Sequence, residues 1–186
     1  YWPETGRLEA LGTFPTMPSL EDRGATDGVS RRYLEMHDRG ELSLLGLRTV
    51  PISDWLLQVM DQVEDEPISA IIADRFKQAE LGEAIDRAGI KCPIVWRGTG
   101  WRDGGEDCER FRRAAHDGKV RAKPSLILRS AFADAIVLKD PSNNLKLAKA
   151  RSLGRIDTVQ AAVIAVAEGA RRVGRTVKTA RVAQWV

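Results

Sequence analysis

Ile68-Ser69-Ala70-Ile71-Ile72-Ala73-Asp74-Arg75-Phe76-Lys77 is the stretch that decides how this chain is read. The run from Ile68 to Ala73 has strand length and is apolar enough for a buried strand, and it ends abruptly on a carboxylate. Leu81, Ala84, Ile85 and Ala88 then recur at helical spacing, Gly89 stops that helix, and Pro93-Ile94-Val95-Trp96 predicts a second strand. Strand, helix, strand is the unit of an α/β fold. Asp74 stands at the carboxyl end of the first strand, where α/β sheets place their sites.

Downstream, residues 97–105 are glycine-rich and read as a mobile surface loop, followed by a helix over 106–117. A short strand at 119–121, a helix over 124–134, a strand at 135–138 and a turn at 141–144 lead to an alanine- and valine-rich helix from Ile156 to about Val173. Upstream, Tyr1-Trp2 and Arg7–Gly12 read as two strands around a Pro3–Gly6 turn. Ser19 with Asp22 resembles a capping box. Asp27 is placed to cap a helix through Val29, Tyr33 and Met36 that stops at Gly40. Leu42–Leu44 and Leu47–Val50 read as a hairpin about Gly46, and Ser53 as the cap of a helix with Trp55, Leu56, Val59, Met60 and Val63 on one face. An opening hairpin before alternating strands and helices predicts a mixed sheet.

With 186 residues, 43% hydrophobic and 30% charged, the chain has the composition of a single globular domain rather than a disordered one. No apolar run is long enough to span a membrane. The first residue is Tyr1, and the chain reads as a piece of a longer protein. Cys92, Cys108, His37 and His116 are too few and too scattered for a thiolate–imidazole zinc site or a disulfide framework. A metal here would need carboxylates, hence a hard cation. The net charge of +3 conceals an asymmetry: from Pro141 to Val186 there are nine basic and two acidic residues, a segment able to bind polyanions or to form a solvated helix face.

Asp74, and Asp157 near the head of the last helix, are each explicable as caps or turn formers. Together they suggest a phosphodiester-cleaving metal site, because clustered carboxylates hold the ions that activate water and stabilise the leaving alkoxide. Asp134 and Asp140 are further carboxylates close in sequence to the 135–138 strand. Gly98-Thr99-Gly100 lacks the Lys-Ser/Thr of a P-loop, and no GxSxG occurs. His37 and His116 fall near helix C-termini, Trp96 reads as core and Trp101 as a loop anchor. Arg110, Arg112 and Arg113 read as a solvated face.

Three ordered segments resemble the C-terminal nuclease domain of large terminases, the DNA-packaging motors of tailed phages, prophages and gene transfer agents. They are Tyr1-Trp2-Pro3-Glu4 with Arg7-Leu8-Glu9-Ala10, Pro18-Ser19-Leu20, Asp27-Gly28-Val29, Tyr33 and Gly40-Glu41-Leu42; then Ile72-Ala73-Asp74-Arg75-Phe76 with Glu80-Leu81; then Asn144 to Lys149 with Gly154-Arg155-Ile156-Asp157 and Ala161-Ala162. The resemblance implies a ribonuclease H-like fold with a mixed central sheet flanked by helices, spanning residues 1–175, with 176–186 as a basic tail. It implies an endonuclease that cuts concatemeric double-stranded DNA with Mg²⁺ or Mn²⁺ at a two-metal site. Asp74 and Asp157 would be catalytic metal ligands, with Lys146, Lys149 and Arg155 as DNA contacts. It further implies an N-terminal ATPase domain, a small terminase subunit and a portal as partners, in the cytoplasm of a bacterial host.

One departure bears on activity. The family's first metal-binding aspartate lies on a first strand upstream of the Tyr-Trp-Pro region, and neither Glu4 nor Glu9 replaces it. The expectation is a fold without its first strand, binding metal weakly and cleaving poorly. Rival readings are another ribonuclease H-like nuclease, such as a resolvase or transposase core, and a non-catalytic DNA- or protein-docking module.

Overall fold

The computed structural model describes residues 1–63, 66–152 and 154–181, the stretch 174–181 as backbone alone. In chain order it forms β1 (Arg7–Leu8), β2 (Gly12–Phe14), α1 (Leu20–Thr26), α2 (Arg32–Asp38), β3 (Leu42–Leu44) and α3 (Ile52–Val63). Then come β4 (Ile71–Asp74), α4 (Gln78–Arg87), β5 (Ile94–Arg97), α5 (Trp101–His116), β6 (Arg121–Ala122) and α6 (Leu126–Asp134). The chain continues with β7 (Val137–Lys139), β8 (Leu145–Leu147) and α7 (Asp157–Arg181).

The α/β class stands, but the single central sheet does not appear among the described residues. The strands pair as four two-stranded ladders. β1–β6, β2–β3 and β4–β5 are parallel, and β7–β8 is antiparallel. The mixed character therefore comes from β7–β8 and not from an opening hairpin. Trp2 and Arg7 make one antiparallel bridge across a turn, after which β1 turns away to pair with β6. Leu42–Leu44 likewise pairs in parallel with β2, and 47–50 form no strand. A parallel partner needs a crossover, which α1 and α2 supply.

The core is organised on α7. Val159, Ala162, Val163, Ile164, Val166 and Ala167 are all buried along it, as is Ile156 just ahead of it. Ile156, Val159 and Val163 meet Ala131 of α6, while Ala162 and Val166 meet Leu8 of β1, Ala114 of α5 and Leu128 of α6. Each fully buried Val or Ile is worth about 1.5–3 kcal/mol, so a charge at Val166 would remove that and leave an unpaired ion inside. Two further clusters flank it. One joins Leu20, Tyr33, Met36, Leu42 and Ile127; the other joins Leu56, Leu81, Ala84 and Ile85 beneath Ile71, Ile94 and Trp96.

Ser19 caps α1 as its spacing predicts, accepting the Asp22 N–H at 3.1 Å. Ser125 caps α6, and the Glu41 carboxylate reinforces that end by accepting the Ile127 N–H at 2.7 Å. Burial pushes the Glu41 carboxyl up, but these backbone N–H groups outweigh it and hold it below the usual range. Asp27 does not cap α2, which begins at Arg32 with no side-chain cap, and Ser53 lies inside α3 rather than ahead of it. The 68–73 run yields a strand only from Ile71, half-buried because it has one paired edge. β8 carries no strand signal strong enough to separate it from the loop before it.

The largest difference lies at 97–105. Instead of a loop, α5 starts at Trp101 and buries Gly104 and Gly105 in its first turns. Glycine costs a helix about 1 kcal/mol against alanine. At Gly104 it lets backbone come close, since a Cβ there would stand 3.2 Å from the Thr99 carbonyl oxygen. The last helix also continues past Val173 to Arg181, and residues 182–186 of the basic tail lie outside the described residues.

Candidate functional site

Asp74 occupies the end of β4, in register with Arg97 of β5. Its carboxylate is exposed and accepts the N–H of Phe76 at 2.9 Å, a turn that redirects the chain from β4 toward α4. Beneath this edge Arg97 turns inward. Its Nη2 and Nε donate to the two oxygens of Asp107 at 2.6 and 3.0 Å, and Asp107 is fully buried. Asp107 holds the Arg97 guanidinium pKa up. The bidentate fork fixes β5 against α5 in the low-dielectric interior. Asp103, one turn earlier, accepts the Gly98 N–H at 2.9 Å and closes the β5–α5 connection; that bond holds its carboxyl below the usual range.

Asp157 opens α7 in a different setting. Its carboxylate is exposed and ion-pairs with Lys149 from the 3-10 turn that precedes the helix. It lines a cavity of about 390 Å³ with Thr13, Arg23, Asp134, Arg155 and Thr158. Around that cavity the cations are engaged. Arg155 Nε donates to Asp27 at 2.7 Å and its guanidinium lies 5.3 Å from the Phe14 ring centroid. Tyr33 donates its hydroxyl to the same Asp27 oxygen at 2.8 Å. Burial pushes the Asp27 carboxyl up, but Arg155 and Tyr33 prevail and hold it below its ordinary value. Burial and that same carboxylate push the Tyr33 hydroxyl up. Asp134 pairs with Arg32 at 2.8 Å.

Asp74 at the end of β4 is thus engaged by the Phe76 N–H, and Asp157 at the head of α7 by Lys149. Among the described residues no three His, Cys, Asp or Glu side chains are placed to hold a metal ion. Of the DNA-contact residues expected from sequence, Lys149 is on Asp157, Arg155 is on Asp27, and Lys146 Nζ sits 4.7 Å from the Trp101 ring centroid. Two more cations of the C-terminal quarter, Arg171 and Arg172, both pair with buried Glu168.

The remaining sequence candidates have local roles. Asp140 accepts the backbone and side-chain N–H groups of Asn144 in the β7–β8 turn. Arg112 and Arg113 pair with Glu109. His37 and His116 lie in the last turns of α2 and α5. Trp96 packs in the core, and Trp101 is 40% exposed at the start of α5. Both cysteines are free. Sequence reasoning missed the Arg97–Asp107 pair because both residues fell in or beside the stretch taken for a loop. It also missed Asp27–Arg155, whose partners are 128 residues apart and carry no local signal. Among the described residues no helix is long and apolar enough to cross a membrane.

No protein-family model matches the chain. Its sequence is 30% identical over 153 residues to the terminase large subunit of Enterobacteria phage HK97, a match that takes in 80% of this chain and 29% of that protein. The crystal structure of the HK97 bacteriophage large terminase superimposes with a TM-score of 0.75 at 26% identity, over 84% of this chain and 32% of that one. The chain therefore spans under a third of the relative it matches. At the level of one domain, it is homologous to the large subunit of a phage terminase.

Proposed function

We propose that this chain is the nuclease domain of a DNA-packaging terminase, built on a ribonuclease H-like plan and acting on the phosphodiesters of concatemeric double-stranded DNA. The observation that carries the reading is the likeness to the HK97 large terminase over 84% of the chain, with both sequence and fold in agreement. Asp74 at the end of a parallel strand and Asp157 at the head of α7 are the carboxylates offered to Mg²⁺ or Mn²⁺. Two carboxylates alone make a poor site for hard cations, which take several oxygen ligands. A further carboxylate from outside the described residues would be needed to gather them. Lys146, Lys149 and Arg155 are proposed as DNA contacts. The partners that go with such a domain are an ATPase domain, a small terminase subunit and a portal, in the host cytoplasm.

Incubating this chain with supercoiled plasmid and Mn²⁺ tests the reading. It predicts DNA binding with little cutting, and rapid metal-dependent cleavage by these residues alone would contradict the incomplete ligand set. A docking module is the second reading, favoured by the lack, among the described residues, of three side chains placed to hold one metal ion. It predicts metal-independent DNA binding that Asp74→Ala leaves unchanged.

A further inference from the structure

The carboxyl edge of β4–β5 carries a cationic face that the carboxylate chemistry does not use. Arg75 follows Asp74 directly, and Arg102 stands in the first turn of α5. Both are exposed, and with Gly98, Gly100 and Asp103 they line a polar cavity of about 340 Å³. Neither guanidinium has an ion-pair partner within 4 Å among the described residues, whereas Arg97 next to them is fully committed to Asp107. On the same turn of α5, Trp101 holds the Lys146 ammonium over its ring at 4.7 Å, which brings a third cation to this edge from β8. Asp103 is the acidic group within the cavity, and its carboxylate is already engaged by the Gly98 N–H. Glycines at 98 and 100 keep the rim low, so a bulky anion meets little steric obstruction.

We propose that Arg75 and Arg102 grip the phosphate backbone of double-stranded DNA at the carboxyl edge of β4–β5, with Lys146, carried on Trp101, as an adjoining contact. The inference rests on the terminase reading and adds to it the face by which the duplex is held. Exposed arginines with no internal partner and a planar fork are suited to phosphate oxygens. Gripping the duplex there brings a phosphodiester beside Asp74, while Arg155 and Lys149, engaged with Asp27 and Asp157, contribute less.

The test is fluorescence anisotropy of a labelled duplex titrated with the whole chain over a series of salt concentrations, for wild type, R75A/R102A, K146A, and the control R48A/K91A, which removes two exposed cations elsewhere. Each phosphate contact contributes close to one to the slope of log affinity against log salt. R75A/R102A is expected to lower that slope by about two, K146A by about one, and the control by nothing measurable. Thermal melts matching wild type verify folding, since none of these arginines is buried. An unchanged slope in R75A/R102A overturns this proposal and leaves the terminase reading standing. A wild type that shows no salt-dependent duplex binding overturns both.

Discussion

The edge of β4–β5 and the head of α7 each present an aspartate to solvent, yet they are held by opposite means. Under Asp74 lies a bidentate Arg97–Asp107 pair with both partners buried, locking β5 to α5. Around Asp157 the fixing contacts are at the surface: Lys149 on Asp157 with both side chains exposed, and Arg155 on a half-sheltered Asp27. A buried pair is costly to break because its survivor stays desolvated, whereas an exposed pair is worth little and is screened by salt. The first carboxylate thus stands on a rigid floor, and the second on a corner that can rearrange at small cost.

The contrast breaks most directly at Asp107. Asp107→Ala leaves the Arg97 guanidinium unpaired in the interior and is expected to cost about 3–5 kcal/mol, read from urea denaturation. Replacing both partners by apolar residues, R97M/D107L, should recover most of that loss. A cost for Asp107→Ala no greater than for a surface change would mean that β5 is not held from below. Next in size, Arg155→Ala removes a solvent-screened pair with the half-sheltered Asp27 and should cost roughly 1 kcal/mol by the same assay.

That corner also has a pH signature. The folded Asp27 carboxyl lies below its ordinary 3.8, so its contribution is complete above that value and is lost as pH falls through the lower folded value. Asp27→Asn should therefore flatten the acid limb of the stability curve below about pH 4 while lowering stability at neutral pH. Smallest of all, Lys149→Ala should cost under about 1 kcal/mol, with the difference vanishing in high salt. A large, salt-independent loss there would erase the distinction between the two regions.

Much of the first region was legible because its signals are local. The apolar run ending in Asp74, the helical spacing of Leu81, Ala84 and Ile85, and the stop at Gly89 together define a strand–helix–strand unit. What followed was hidden by glycine: Gly104 and Gly105 suggest a loop by propensity, and their burial inside α5 shows only once the helix is packed. The second region was opaque for another reason. Asp27 reads as a helix cap from its neighbours, and its partners Tyr33 and Arg155 are revealed only when α2 and the segment before α7 meet. The two aspartates stood out as carboxylates at element ends. What each of them touches depends on tertiary placement, to which spacing along the chain is blind.

The measurement that bears most directly on the account is plasmid cleavage in Mn²⁺ by this chain joined to the segment that precedes the matched region in the HK97 large terminase, alongside its Asp74→Ala and Asp157→Ala variants. The account predicts nicking and linearisation by the joined protein, lost in either variant while duplex binding persists. No cleavage, or cleavage indifferent to both substitutions, would contradict the assignment of these carboxylates to a terminase nuclease.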